Sequence, residues 1–164
     1  VSVNRPLGLP ICQGGPAMSE ALQRLVAEQA CRALVLAAAD AIDGGDYHAL
    51  VQLFDTDAEL VRPDGVVLRG HAAILAAYAA RNPDRLTRHL VSNQRVEVDL
   101  AAGTARAACT ILLWSGRHSD VQSPRGRPAD PLQQVGEIRD LCALTPSGWR
   151  IRRRQAWFTL VQAG

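Results

Sequence analysis

One stretch of the sequence, AAADAIDGGD from Ala37 to Asp46, decides the fold. Its alanines predict the closing turns of a long helix. The pair Gly44-Gly45 predicts where the helix stops, because glycine takes the left-handed conformation after a helix at little cost. Asp43 then lies at the negative end of the helix macrodipole, which disfavours a carboxylate by about 0.3–1 kcal/mol, so we expect the pKa of Asp43 to be raised. Taken alone, an aspartate beside glycine is equally typical of turn chemistry.

Three stretches have apolar residues at helical spacing. They are predicted as helices at about 19–43, with Ser19 as the cap, at 46–54, capped by Asp46 and ended by Asp55-Thr56-Asp57, and at 71–81.

Six stretches show the residue pattern of strands. They lie between or after these helices. They are a hairpin at 59–62 and 66–69, then four longer strands at 88–99, 104–115, 133–144 and 149–161. Helices segregated from a run of antiparallel strands indicate an α+β fold. We expect a cone-shaped, curved antiparallel sheet wrapped around the long N-terminal helix, with two further helices, enclosing a pocket.

The composition fits one domain with a sizeable core. The chain has 164 residues, of which 48% are apolar and 21% are charged, and its net charge is +2. This charge is small and no basic run alternates with aromatic residues, so we expect no nucleic-acid partner. No apolar run reaches the roughly 18 residues of a membrane span, so we expect no membrane partner either.

The four cysteines show neither a Cys-x-x-Cys pair nor the spacing of metal ligands. Cys31, Cys109 and Cys142 lie inside apolar patterns, where a free cysteine behaves as a small buried hydrophobe. We therefore expect no metal and no cofactor, and a reducing, cytoplasmic location. Cys12 lies outside these patterns.

Residues 1–17 differ from the rest of the chain. They contain three prolines and three glycines, and Met18, the only methionine, follows them. We expect this segment to be a disordered N-terminal extension or to precede the natural start, and residues 18–164 to form a single domain.

Five segments resemble the SnoaL-like members of the nuclear transport factor 2-like superfamily. They are ADAIDGGDY at 39–47, LFDTDAEL at 53–60, RGHAAI at 69–74, RHLVSN at 88–93 and GWRI at 148–151. The resemblance spans about residues 20–160. It is greatest to the branch that holds scytalone dehydratase, hexachlorocyclohexane dehydrochlorinase and bile-acid dehydratase, and it implies the same cone-shaped fold.

In the catalytic members of that branch, an aspartate at the end of the first helix pairs with a histidine on the first long strand. Asp43 and His89 occupy these positions, and His89 to Asn93 matches the pattern His-x-x-Ser/Thr-Asn. Histidine is a usable general base at neutral pH because its ordinary pKa lies near ~6.5, and a carboxylate on its other nitrogen fixes the tautomer. The resemblance thus implies a cofactor-independent lyase or isomerase for a small apolar or aromatic molecule. By itself, His89 also fits an ordinary strand histidine.

The sequence departs from the family at two points. Scytalone dehydratase has a tyrosine just before its aspartate, where this chain has Ile42, and neither Tyr47 nor Tyr78 lies at an obvious pocket position. The third polar partner of the dehydrochlorinase has no clear counterpart. Four residues are candidates to face the pocket and bind substrate: Asn93, Trp114, Arg139 and Arg154.

A non-catalytic role stays open. The same fold serves as a ligand-binding protein or as the structural small subunit of an oxygenase, whose partner would be the oxygenase large subunit. An enzyme acting alone predicts a homodimer or homotrimer through the outer face of the sheet. The loop 116–132, rich in proline and glycine, is interpreted as a lid, a subunit contact or a disordered segment.

Overall fold

The long N-terminal helix α1 runs from Glu20 to Gly44 in the computed structural model, which describes residues 19–162. Ser19 caps its first turn by accepting the backbone N–H of Leu22 at 3.3 Å. Gly45 ends it in the left-handed conformation, with φ of 73°. Both predicted ends of this helix are confirmed. The predictions for residues 1–17, including Cys12, lie outside the described residues.

The second helix, α2, is shorter than expected and spans Tyr47–Gln52. Asp46 caps it as predicted, accepting the backbone N–H of Ala49 at 2.9 Å. The expectation that Phe54 belongs to this helix and that Asp55-Thr56-Asp57 ends it is wrong, because these residues open strand β1 (Phe54–Val61). The backbone N–H of Ile151 donates to the carbonyl of Leu53 at 2.9 Å. Pairing with the last strand therefore draws this segment into the sheet.

The remaining elements follow the predicted order, with bounds that differ by a few residues. They are β2 (Val67–Arg69), α3 (Gly70–Ala79), β3 (Arg85–Asp99), β4 (Thr104–Arg117), β5 (Gln133–Thr145) and β6 (Gly148–Gln162).

The six strands form one curved, unclosed sheet in the order β2-β1-β6-β5-β4-β3. Neighbouring strands are antiparallel, except that β1 runs parallel to β6. The sheet wraps around α1, as expected for the predicted α+β fold. Within residues 19–162, no helix is long and apolar enough to cross a membrane.

The core lies between α1 and the inner face of the sheet. The helix contributes small side chains, among them Ala27, Cys31 and Ala38, which are almost fully buried. Cys109 on β4 and Cys142 on β5 are buried from the sheet side. Small residues let the helix approach the strands closely, and the three cysteines occupy the apolar positions predicted for them.

We predict that Gly136→Ala lowers the free energy of unfolding by about 1–3 kcal/mol, measured by urea denaturation. Gly136 lies at an irregularity in the β5–β6 pairing, where an added Cβ would meet the carbonyl oxygen of Trp157 at 2.7 Å. The matched control is Gly44→Ala, where an added Cβ meets nothing within 4 Å and alanine is a better helix former. Equal effects of the two substitutions would contradict this account of the packing.

Candidate active site

Asp43 and His89 contact each other between the end of α1 and the inner face of β3. The Nδ1–H of His89 donates to Oδ1 of Asp43 at 2.6 Å, and the backbone N–H of His89 donates to Oδ2 at 2.7 Å. Their side chains are only 12% and 13% exposed. The ring of His89 is thereby fixed in orientation and tautomer by one carboxylate.

Two neighbours on β3 strengthen this connection. The hydroxyl of Thr87 donates to Oδ1 of Asp43 at 2.8 Å, and the guanidinium of Arg88 donates to the backbone carbonyl of Asp43 at 3.4 Å. Thr87 and His89 share a face because side chains two apart on a strand point the same way. The C-terminal end of the helix is therefore held by three consecutive strand residues.

The pKa of Asp43 lies below its ordinary value, so the expectation that it is raised is wrong. Burial alone raises this pKa, but the hydrogen bonds from His89, the charge of its ring and the hydroxyl of Thr87 together outweigh burial. The expectation weighed only the macrodipole of α1. Several donors aimed at one carboxylate have the larger effect.

A cavity of about 460 Å³ lies next to His89, between α1, α3 and the concave face of the sheet. Most of its wall is apolar, and the side chains that form this part are Val35, Ala39, Ile42, Leu60, Ala77, Val91, Ile111, Leu113, Ile138, Ala156 and Phe158. Within residues 19–162, no hydrogen bond reaches Nε2 of His89, and no buried side-chain nitrogen or oxygen lacks a partner. We conclude that Nε2 is open to the cavity.

Arg154 is the buried cation of this cavity. Its Nε and Nη2 donate to the two carboxylate oxygens of Asp140 at 2.7 and 2.6 Å, and only 4% of the residue is exposed. Burial lowers the pKa of Arg154, but the charge and hydrogen bonds of Asp140 raise it above its ordinary value. Arg154 therefore stays charged, and its Nη1 remains outside the pair with Asp140.

Tyr78, which sequence reasoning placed away from the pocket, lines the cavity. It follows Ile74 by four residues on α3, and Ile74 is fully buried. This helical spacing was the signal that could have identified Tyr78. Burial raises the pKa of the Tyr78 phenol, so the hydroxyl stays protonated at neutral pH.

Of the four residues expected to bind substrate, the structure places only Arg154 at the cavity. Asn93 is exposed at a bulge of β3, with φ of 51°. Trp114 lines a separate pocket of about 250 Å³, and the guanidinium of Arg139 lies 5.1 Å from the centre of the Trp157 ring. Strand alternation explains the correction for Trp114 and Arg139, because their neighbours Leu113 and Ile138 face the cavity.

The loop 116–132 packs beside the end of β4. Gly116 pairs with Ala129, and the backbone N–H of Asp130 donates to the carbonyl of Ser115 at 2.8 Å. The loop lines the smaller pocket and contributes no residue to the wall of the larger cavity.

Within the described residues, no three histidine, cysteine, aspartate or glutamate side chains are grouped as metal ligands would be. The expectations of no metal and no cofactor stay predictions. The chemical groups that the cavity offers include an imidazole held by a carboxylate, a buried guanidinium and a neutral phenol, together with the further charged side chains Arg62, Asp64, Arg81 and Arg85.

A family model described as the SnoaL-like domain matches residues 23–155. The chain belongs to this family. A search of curated proteins found no match. Among solved structures, the SnoaL-like chain is similar to a hexachlorocyclohexane dehydrochlorinase, with 16% identity, a TM-score of 0.73 and coverage of 88% of this chain and 95% of that one.

Two structures from Novosphingobium aromaticivorans are also similar to this SnoaL-like chain. A putative scytalone dehydratase has 18% identity, a TM-score of 0.70 and coverage of 84% of this chain and 87% of that one. A protein described as NTF2-like with a cystatin-like fold has 23% identity, a TM-score of 0.66 and coverage of 85% and 86%. At these identities, the similarity shows the shared fold.

We predict that Asp43→Asn lowers the free energy of unfolding by about 1–3 kcal/mol at pH 7, because it removes a carboxylate that accepts several hydrogen bonds. The pKa of Asp43 is depressed by folding, so its contribution is present above the ordinary pKa of about 4 and is lost as the pH falls through the folded-state value. Urea denaturation between pH 7 and pH 2 should therefore show the difference between wild type and variant shrinking with acidity.

The matched control is Asp57→Asn, which removes an exposed carboxylate of the same formal charge. It should change stability little at any pH in this range. A gap between wild type and Asp43→Asn that stayed constant down to pH 2 would contradict the assignment.

Proposed function

We propose that this SnoaL-like protein is a cofactor-independent lyase or isomerase, in which His89 is the general base and Asp43 its orienting partner. One observation carries the proposal. The 2.6 Å hydrogen bond from Nδ1 to Asp43 leaves Nε2 as the free acceptor, and His89 lines a largely apolar cavity. A base in such a place acts on a small apolar or aromatic molecule.

The proposed reaction begins when Nε2 of His89 accepts a proton from a carbon adjacent to a carbonyl group or adjacent to the carbon that bears a leaving group. The electron pair of the broken C–H bond forms an enolate or a carbon–carbon double bond. In an elimination, the leaving group departs with its own electron pair. Asp43 stabilises the imidazolium that forms, because its carboxylate stays bound to the opposite ring nitrogen.

Arg154 and Tyr78 provide donors for the negative charge that develops on the substrate. The guanidinium of Arg154 is fixed by Asp140, so it needs no reorganisation when charge appears. The neutral hydroxyl of Tyr78 is a second donor on the cavity wall. Arg154 is the only one of the sequence-predicted substrate ligands that keeps this role.

The family supports the same reaction class. SnoaL-like and NTF2-like proteins include cofactor-independent dehydratases and isomerases, and two structural neighbours are described as a dehydrochlorinase and a putative dehydratase. Because the fold hosts unrelated activities, this support concerns the class of reaction and leaves the substrate to experiment.

We predict that the wild-type protein accelerates the ring opening of 5-nitrobenzisoxazole and that His89→Ala lowers this rate about 100-fold or more. In this probe a base removes the proton from the carbon beside the ring nitrogen, and the N–O bond breaks to give a coloured phenolate. A general base contributes about 10²–10⁴-fold, and the aromatic probe suits an apolar cavity. The measurement is initial absorbance change over the buffer background.

Two further variants make this assay specific. His118→Ala removes an exposed loop imidazole and should keep the wild-type rate. Asp43→Asn keeps the base but loses the carboxylate that sets its tautomer, so it should lose most of the activity. With folding verified by circular dichroism, an undiminished rate in His89→Ala would refute the proposal.

The second candidate is a non-catalytic binding protein, or a structural small subunit that pairs with an oxygenase large subunit. The observation behind it is that Leu90 and Leu141 are exposed on the outer face of the sheet. Exposed leucines on a sheet face are suited to contact with a protein partner. A second copy of the chain is the partner that the enzyme proposal requires.

We predict that light scattering finds a homodimer or homotrimer of the 17.6 kDa chain and that Leu141→Arg lowers the measured mass by disrupting this face. The control, Val121→Arg, places the same charge on an exposed loop residue and should leave the mass unchanged. A monomer that gains mass only when mixed with a Rieske-type large subunit would instead support the small-subunit role.

A further inference from the structure

Three arginines form what we call the rim of the cavity, whose lining is otherwise largely apolar. They are Arg62 after β1, Arg81 after α3 and Arg85 at the start of β3. Arg62 forms an ion pair with Asp64 at 3.4 Å. Among residues 19–162, neither Arg81 nor Arg85 has an ion-pair partner. The rim therefore holds two guanidiniums that form no ion pair in the described residues.

Arg81 and Arg85 lie on either side of a short turn, in which the backbone N–H of Arg85 donates to the carbonyl of Asn82 at 3.0 Å, and both line the same cavity. The guanidinium of Arg81 lies 5.6 Å from the centre of the Tyr78 ring, which is itself part of the cavity wall. Burial lowers the pKa of Arg85, and the like charge of Arg81 lowers it further, although Asp130 and Tyr47 oppose this shift. Like charges near one another are unfavourable, and an anion bound between them would relieve the repulsion.

We propose that Arg81 and Arg85 bind a carboxylate on the substrate, so that the cavity takes an aromatic or alicyclic acid whose apolar body points toward His89. A guanidinium suits this role because its planar fork matches the two oxygens of a carboxylate. The position of the reacting carbon rests on the function proposed above. The binding of an acid at the rim can be measured without any turnover.

Arg85 precedes His89 by four residues on β3, so both side chains lie on the same face of the strand and their Cα atoms are about 13 Å apart. A molecule of two rings has a comparable length, and the probes of the test are therefore biphenyls.

The test compares biphenyl-4-carboxylate with its neutral analogue biphenyl-4-carboxamide by isothermal titration calorimetry. The two probes have nearly the same shape and differ in charge. We expect the wild type to bind the carboxylate at least 10-fold more tightly than the carboxamide. We expect Arg81→Gln/Arg85→Gln to lose this preference while keeping its affinity for the carboxamide.

Two controls test whether the preference for the carboxylate depends on the rim arginines alone. Arg152→Gln makes the same change of charge per residue at an exposed position of β6 outside the cavity, and it should keep the preference. His89→Gln should also keep the preference although its general base is lost, so failure of the catalytic proposal is distinguishable from failure of this one. Equal affinity of the wild type for the two probes, no binding of the carboxylate, or a preference that persists in the double variant would overturn the inference.

Discussion

The carboxylate of Asp43 is the interaction on which the site depends. It accepts hydrogen bonds from the ring and backbone of His89 and from the hydroxyl of Thr87, so one side chain fixes the end of α1 against β3. The same contacts set the tautomer of the histidine and keep the carboxylate ionised. The same contacts thus position the end of the helix and orient the ring of His89, and a substitution at Asp43 alters both.

The sequence determines the fold more completely than it determines the contents of the cavity. Local signals suffice for α1, because Ser19 and Gly45 mark its ends whatever else the chain does. They fail for Phe54, where a parallel pairing with β6, almost a hundred residues later, overrides a helical pattern. That pairing is non-local, so no window of neighbouring residues contains it.

The same difference between local and non-local signals explains which residues of the candidate site could be predicted. Asp43 and His89 could be named from the sequence because a family pattern couples a helix end to a strand position. Which way a strand residue faces depends on register, and a shift of one residue moves a side chain to the other face. Trp114 and Arg139 were therefore placed on the wrong side, whereas Tyr78 was within reach of a helical-spacing argument from Ile74. The pKa of Asp43 depends on donors brought in by β3, which the sequence of α1 does not contain.

The proposed roles of the cavity's arginines in binding and in catalysis follow from how each arginine is paired. Arg154 is ion-paired with Asp140, so the pair carries little net charge and attracts a distant anion weakly. Arg81 and Arg85 keep their net charge at the rim and so attract an anion in the substrate and in the transition state alike. Interactions that are equally strong with the substrate and with the transition state improve binding without accelerating the chemical step. A donor that gains strength only as negative charge develops on the substrate accelerates that step, and this is the role that the proposed function assigns to the guanidinium of Arg154.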